Sequence, residues 1–144
     1  MIDSTGPVVV DTDVVSYLFN DHSFAPAYER ILAGRYLAVS LTTIAEIEYG
    51  MALKNWGSKR RTLMRRHLSD FVCIFPDIDT AETWARLRSA GYKKGRQIES
   101  EDAWIAATAL RLNIPLVTNN VDDFRSVDGL TILSAADPEK NNRS

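Results

Sequence analysis

The sequence predicts an α/β fold of three layers, with a mostly parallel central sheet flanked by helices. Three observations predict it. Short β-branched runs alternate with helical segments of about 10–15 residues. The best of these runs, Pro7-Val8-Val9-Val10, is continuous in apolar residues, as a strand buried on both faces is. Capping residues then follow directly, so that strand leads into helix.

The elements follow in order. Residues 7–10 read as a central parallel strand ending at Asp11, and Asp11-Thr12-Asp13 caps a helix through Val14, Val15, Leu18 and Phe19. A second helix spans 24–33 and stops at Gly34. Tyr36 to Leu41 is the next strand. Thr42 or Thr43 caps a helix from Ile44 to about Asn55, whose core face is Ile44, Ile47 and Met51. Gly57 breaks the chain. Lys59 to Asp70 is a basic helix, and Phe71 to Phe75 a strand ended by Pro76. Asp79 or Thr80 opens a helix to about Tyr92. After the turn Lys93-Lys94-Gly95-Arg96 a helix runs from near Ser100 to Leu112. Residues 115–118 and 130–133 are the last strands.

The chain has 144 residues, which suits one domain over 1–137 with a polar, disordered tail over 138–144. Apolar residues make up 45% and charged ones 25%, as in an ordinary globular protein. The net charge of −2 excludes a polycation, but it leaves nucleic acid open, because a local basic patch can bind it. No apolar run reaches the ~18 residues of a membrane span, and no signal peptide is visible, so a cytoplasmic protein is expected. The single cysteine, Cys73, excludes an intrachain disulfide and reads as a small buried hydrophobe.

In open α/β sheets, ligands bind beyond the carboxyl ends of the strands. Asp11, Asn119 and Asn120 lie at such ends. Glu46, in the first turn or so of its helix, and Asp102, in the first turn of the Ala-rich helix, reach the same boundary. Asp13 reads as decoration of a first helical turn. Three carboxylates in one cleft repel each other by about 4 kcal/mol per pair at ~4 Å and an effective dielectric near 20. Such a site takes up protons or a hard cation. Oxygen ligands select Mg²⁺ or Mn²⁺, and two histidines without metal-ligand spacing argue against zinc. A hard cation there points to phosphodiester hydrolysis. Lys59, Arg60, Arg61, Arg65 and Arg66, with Lys93, Lys94 and Arg96, form a candidate phosphate-binding track.

Four segments then resemble one family in the right order. Val8 to Leu18 resembles the opening motif of PIN domains, particularly the VapC-type ribonuclease toxins of toxin–antitoxin pairs. Thr42-Thr43-Ile44-Ala45-Glu46-Ile47-Glu48-Tyr49-Gly50 is similar to their second acidic motif. Glu101 to Leu110 resembles the third. Leu116 to Asn120, with Asp123-Phe124 and Gly129-Leu130, resembles the fourth. The resemblance spans residues 8–133. It implies a Mg²⁺- or Mn²⁺-dependent endoribonuclease acting on tRNA or rRNA. It places metal ligands at Asp11, Glu46 and Asp102, and an assisting hydroxyl at Thr118. The family's fourth acid has Asn120 at its position, with Asp122 or Asp123 as substitutes. The resemblance also implies a homodimer and a cognate antitoxin that covers the cleft.

Two rival readings stand beside it. Asp11 and Asp13 also resemble the nucleophile and general acid of haloacid-dehalogenase-type phosphatases, but no Lys lies between Thr118 and the following acids. A non-catalytic PIN-like module that binds RNA or protein is the other. The mutual repulsion of intact acids counts against it.

Overall fold

In the computed structural model, residues 5–136 are described, so the tail expected over 138–144 lies outside the described residues. Five strands form one all-parallel sheet in the order β3-β2-β1-β4-β5. They are β1 (Val8–Val10), β2 (Leu37–Ser40), β3 (Val72–Ile74), β4 (Leu116–Val117) and β5 (Ile132–Leu133). The expected mostly parallel sheet is wholly parallel, with β1 at its centre. β1 pairs Val9 with Ala38 on one side and Leu116 on the other.

Alternation along β1 builds the three layers. Val8 and Val10 point to one face, where they pack with α1 (Thr12–Phe19), α2 (Ala25–Leu32), α3 (Leu41–Leu53) and α4 (Ser58–Leu68). Val9 points to the other, against α6 (Ser100–Leu112), backed by α5 (Ile78–Lys93). All three valines are fully buried, worth roughly 1.5–3 kcal/mol each. On the second face Ala103, Ala106 and Ala109 are small enough to bring the α6 backbone close to the sheet.

Several expected boundaries are corrected. Ser40, not Thr42 or Thr43, caps α3, its side chain accepting from Thr42 N at 3.2 Å. The helix therefore starts at Leu41, and Glu46 sits in its second turn rather than its first. Asp77, not Asp79 or Thr80, caps α5, in a reciprocal capping box with Thr80. A 3₁₀ turn over Val121–Phe124, absent from the sequence reading, carries Asp122 and Asp123. Cys73 is only half-buried, because β3 is an edge strand with exposed neighbours Val72 and Phe75. Burial still pushes its thiol pKa up, which leaves it unreactive.

Two contacts aim the start of α6. Gly91 lets the turn after α5 fold back, since a Cβ there would lie 2.6 Å from the Arg96 carbonyl oxygen. Trp84 of α5 stacks on Trp104 and donates from Nε1 to the Ser100 carbonyl at 3.1 Å. The first turn of α6, with Asp102, is thereby pinned at the carboxyl end of the sheet.

Candidate active site

Asp11 follows β1 and is held from two sides. Its Oδ1 accepts from Thr12 N at 2.8 Å, the cap of α1. Its Oδ2 accepts from the Thr118 hydroxyl at 2.7 Å. Thr118 leaves β4, the strand beside β1, and is fully buried. Its oxygen also accepts from Asn120 N at 3.0 Å, which fixes the rotamer that donates to Asp11.

Glu46 reaches the same place from α3. The Thr12 hydroxyl donates to Glu46 Oε1 at 2.8 Å and stands 2.9 Å from the hydroxyl of buried Thr43. Residue 12 thus connects the first acidic segment to the second. Asp102 is half-buried on the first turn of α6.

The electrostatics bind these acids into one site. Burial, with the charges of Asp13 and Glu46, raises the Asp11 pKa from 3.8 to about 7. Burial, followed by the charges of Asp11, Asp123, Glu46 and Glu99, raises Asp102 from 3.8 to about 7. Desolvation and neighbouring anions act in the same direction, as expected where carboxylates share a cleft. Asp123 enters through this field. Asp122 points instead to Arg125, an ion pair of 2.8 Å, and exposed Asn120 contributes its backbone to the turn. The structure therefore brings Asp123, one of the two substitutes named from sequence, toward Asp102.

Asp13 departs most from its expected role. Its Oδ1 accepts from Val14 N at 2.7 Å, and its Oδ2 accepts from Asn119 N at 3.0 Å. It cross-links α1 to the end of β4, and burial raises its pKa. Both oxygens being held by backbone amides, it is not placed as the general acid of a phosphatase. Asn119 in turn accepts from the fully buried Tyr28 hydroxyl at 2.6 Å, and that hydroxyl accepts from Ala135 N at 3.3 Å. Sequence reading missed this network because its partners lie about a hundred residues apart and carry no local pattern.

The donor set is all oxygen, which suits a hard cation. Among the described residues, no three or more His, Cys, Asp or Glu side chains stand close enough to enclose an ion by themselves. An ion such as Mg²⁺, which keeps several waters and takes few protein ligands, does not need such an enclosure.

The basic residues divide by partner. Arg61 donates to the Trp56 and Met51 carbonyls and ties α4 to α3. Arg65 grips Glu48 through two bonds of 2.8 and 2.9 Å, and Lys94 pairs with Asp128 at 2.9 Å. These three have structural partners within the described residues. Arg60 lies over Trp56, while Lys59, Arg66, Lys93 and Arg96 are exposed.

Comparison with known proteins agrees with the geometry. The PIN domain family matches residues 8–130. Ribonuclease VapC5 of Mycobacterium tuberculosis is 33% identical over 95 residues, covering 65% of this chain and 70% of the relative. Ribonuclease VapC2 of Rickettsia felis is 28% identical over 130 residues, covering 86% and 94%. Among solved structures, VapBC2 from Rickettsia felis bound to a DNA fragment from their promoter superposes with a TM-score of 0.79 at 25% identity, over 89% of this chain and 98% of that one. FitAcB from Neisseria gonorrhoeae gives 0.72 at 27% identity, over 88% and 96%. With the acids gathered at the carboxyl end of a wholly parallel sheet, these matches establish that the chain belongs to the PIN domain family and groups with its VapC ribonucleases.

Proposed function

We propose that the chain is a Mg²⁺- or Mn²⁺-dependent endoribonuclease, a VapC-type toxin that cuts structured RNA such as tRNA or rRNA in the cytoplasm. The observation that carries this reading is the pair Asp11 and Asp102. They come from different elements, and burial with shared negative charge raises both to about 7. A cation relieves that repulsion better than protons do at neutral pH.

Asp11, Glu46 and Asp102 are assigned as metal ligands, with Asp123 as the fourth acid. When bound, the cation supplies an activated water and offsets charge on the phosphoryl group. The chain's own residues set the geometry. Thr118 holds the Asp11 carboxylate toward the cleft, and Thr12 holds Glu46. Lys59, Arg66, Lys93 and Arg96 are assigned to the RNA backbone, where each neutralised phosphate adds affinity that salt removes. Residues 1–137 are taken as the one nuclease domain.

A cognate antitoxin is the proposed inhibitor, supported by the relatives solved as VapBC and FitAcB. A homodimer is proposed as well. The exposed row Leu41, Tyr49 and Leu53 on α3 supports a protein-covered face.

The test is cleavage of total tRNA by purified protein in Mg²⁺, Mn²⁺ or EDTA, with Asp11→Asn beside it. Discrete fragments that need metal and vanish in the variant are expected. Equal cleavage in EDTA, or by Asp11→Asn, would overturn the reading.

A further inference from the structure

A groove of about 150 Å³ leads away from Glu46 between α1 and α3. Two helical rows wall it, each spaced by four residues. Thr12, Ser16 and Asn20 form one row, and Glu46, Gly50 and Lys54 the other. Met51, Met64 and Trp56 give it an apolar lining. At the far end Arg60 stacks 3.7 Å over Trp56 and donates to Asn20 Oδ1 at 3.1 Å. Charge therefore changes sign along the groove, from carboxylate at the cleft to two cations about 12 Å of helix away.

Gly50 is the odd member of its row. It lies inside α3, where glycine destabilises a helix relative to alanine. It has no positive φ, and a Cβ there would meet nothing within 4 Å. Neither backbone conformation nor close packing calls for glycine. What its missing side chain does is leave the groove open halfway along.

We propose that this groove seats the RNA strand where it leaves the cleft, with one nucleotide over Gly50 and the next phosphate at Lys54 and Arg60. The proposal rests on the ribonuclease reading and adds the strand's path to it. Three features favour RNA. The volume is below the ~300–1,000 Å³ that takes a whole small ligand, so it suits one unit of a longer chain. Hydroxyl and amide groups on the walls suit a ribose, and the Met51 and Met64 lining offers a base apolar contact. The two cations at the exit suit a phosphate and give an anionic chain its direction.

The experiment measures binding of a fluorescein-labelled, unstructured RNA about twelve nucleotides long. It uses the full chain carrying Asp11→Asn, so that the strand is not cut. Gly50→Leu and Lys54→Gln are added singly, and tRNA cleavage is followed in parallel with Asp11 intact. Gly50→Leu is expected to weaken RNA binding at least about tenfold while its thermal midpoint holds or rises. Lys54→Gln is expected to lower the slope of log affinity against log salt by about 0.7. RNA binding by Gly50→Leu within about twofold of its parent would overturn the groove and leave the ribonuclease reading standing. Unchanged RNA binding with lost antitoxin binding would assign the groove to a protein and overturn the proposal. A native chain that neither binds nor cuts RNA would overturn the ribonuclease reading, and the groove with it.

Discussion

The two ends of the sheet differ in what they bury. At the carboxyl end, Asp11, Ser40, Thr43 and Thr118 are buried polar groups, each with a hydrogen-bonding partner. The groove that starts nearby, at Thr12 and Glu46, is small, about 150 Å³. At the amino end, two cavities of about 310 and 300 Å³ lie around Pro7 and Ile114. They are larger, yet no carboxylate lines either one. Volume therefore does not locate the chemistry in this fold. Buried charge does, because a desolvated carboxylate is costly and persists only where something offsets it.

The sharpest way to break this contrast is to neutralise one acid. Asp102→Asn should cut RNA cleavage by on the order of 10²–10³-fold, the scale of losing one electrostatic stabiliser. Its thermal midpoint in EDTA at pH 8 should hold or rise, because a repelling charge is gone. Full cleavage by this variant would sink the assignment.

Thr118→Val comes next. It removes the hydroxyl that donates to Asp11 and accepts from Asn120 N. Denaturant unfolding should show a loss of about 1–3 kcal/mol, the cost of leaving buried partners unsatisfied. Cleavage should fall less than with Asp102→Asn.

The third test uses pH. Asp11 and Asp102 hold their protons to about pH 7 in the fold but titrate near 3.8 when exposed. Between those values the folded state binds more protons, so metal-free stability falls as pH rises from about 4 to about 7. Thermal unfolding in EDTA should show this decline. Asp11→Asn should flatten it, and Mg²⁺ should offset it at pH 8 by mass action. A midpoint that climbs across that window would contradict the buried-charge account.

The smallest functional effect belongs at the other end. Ile114→Ala, between the two larger cavities, should lower stability by about 1–2 kcal/mol at this half-buried position. Cleavage per folded molecule should not change. A lost activity there would show that the amino end is more than packing.

The sequence exposed the carboxyl end unevenly. β1 was legible because three valines running into Asp-Thr-Asp leave few alternatives to a buried strand feeding a helix. Asp11 and Asp102 could be named as candidates because each stands beside a recognisable element boundary, whereas Glu46 lies a turn further into α3 than its sequence suggests. Ser40 as the cap of α3 was hidden, since the two threonines that follow are equally good cappers and only backbone geometry distinguishes them. The link from Asp13 to Asn119 was hidden for a stronger reason, since neither residue's neighbours hint at the other. Asp123 could be named only as one of two substitutes for the fourth acid, and the 3₁₀ turn with the Asp122–Arg125 pair distinguishes them.

The bond between Thr118 and Asp11 joins residues 107 positions apart. On the ribosome, at about 5–20 residues per second, some 5–20 s pass between the synthesis of one and the other. Through that interval β1 lacks the neighbour β4, and Asp11 lacks the hydroxyl that orients it. Until residue 118 has been made, the Asp11 carboxylate has no Thr118 hydroxyl to hold it, so its surroundings cannot be complete any earlier. The topology thus imposes a delay of several seconds between the appearance of Asp11 and the assembly of the groups that orient it.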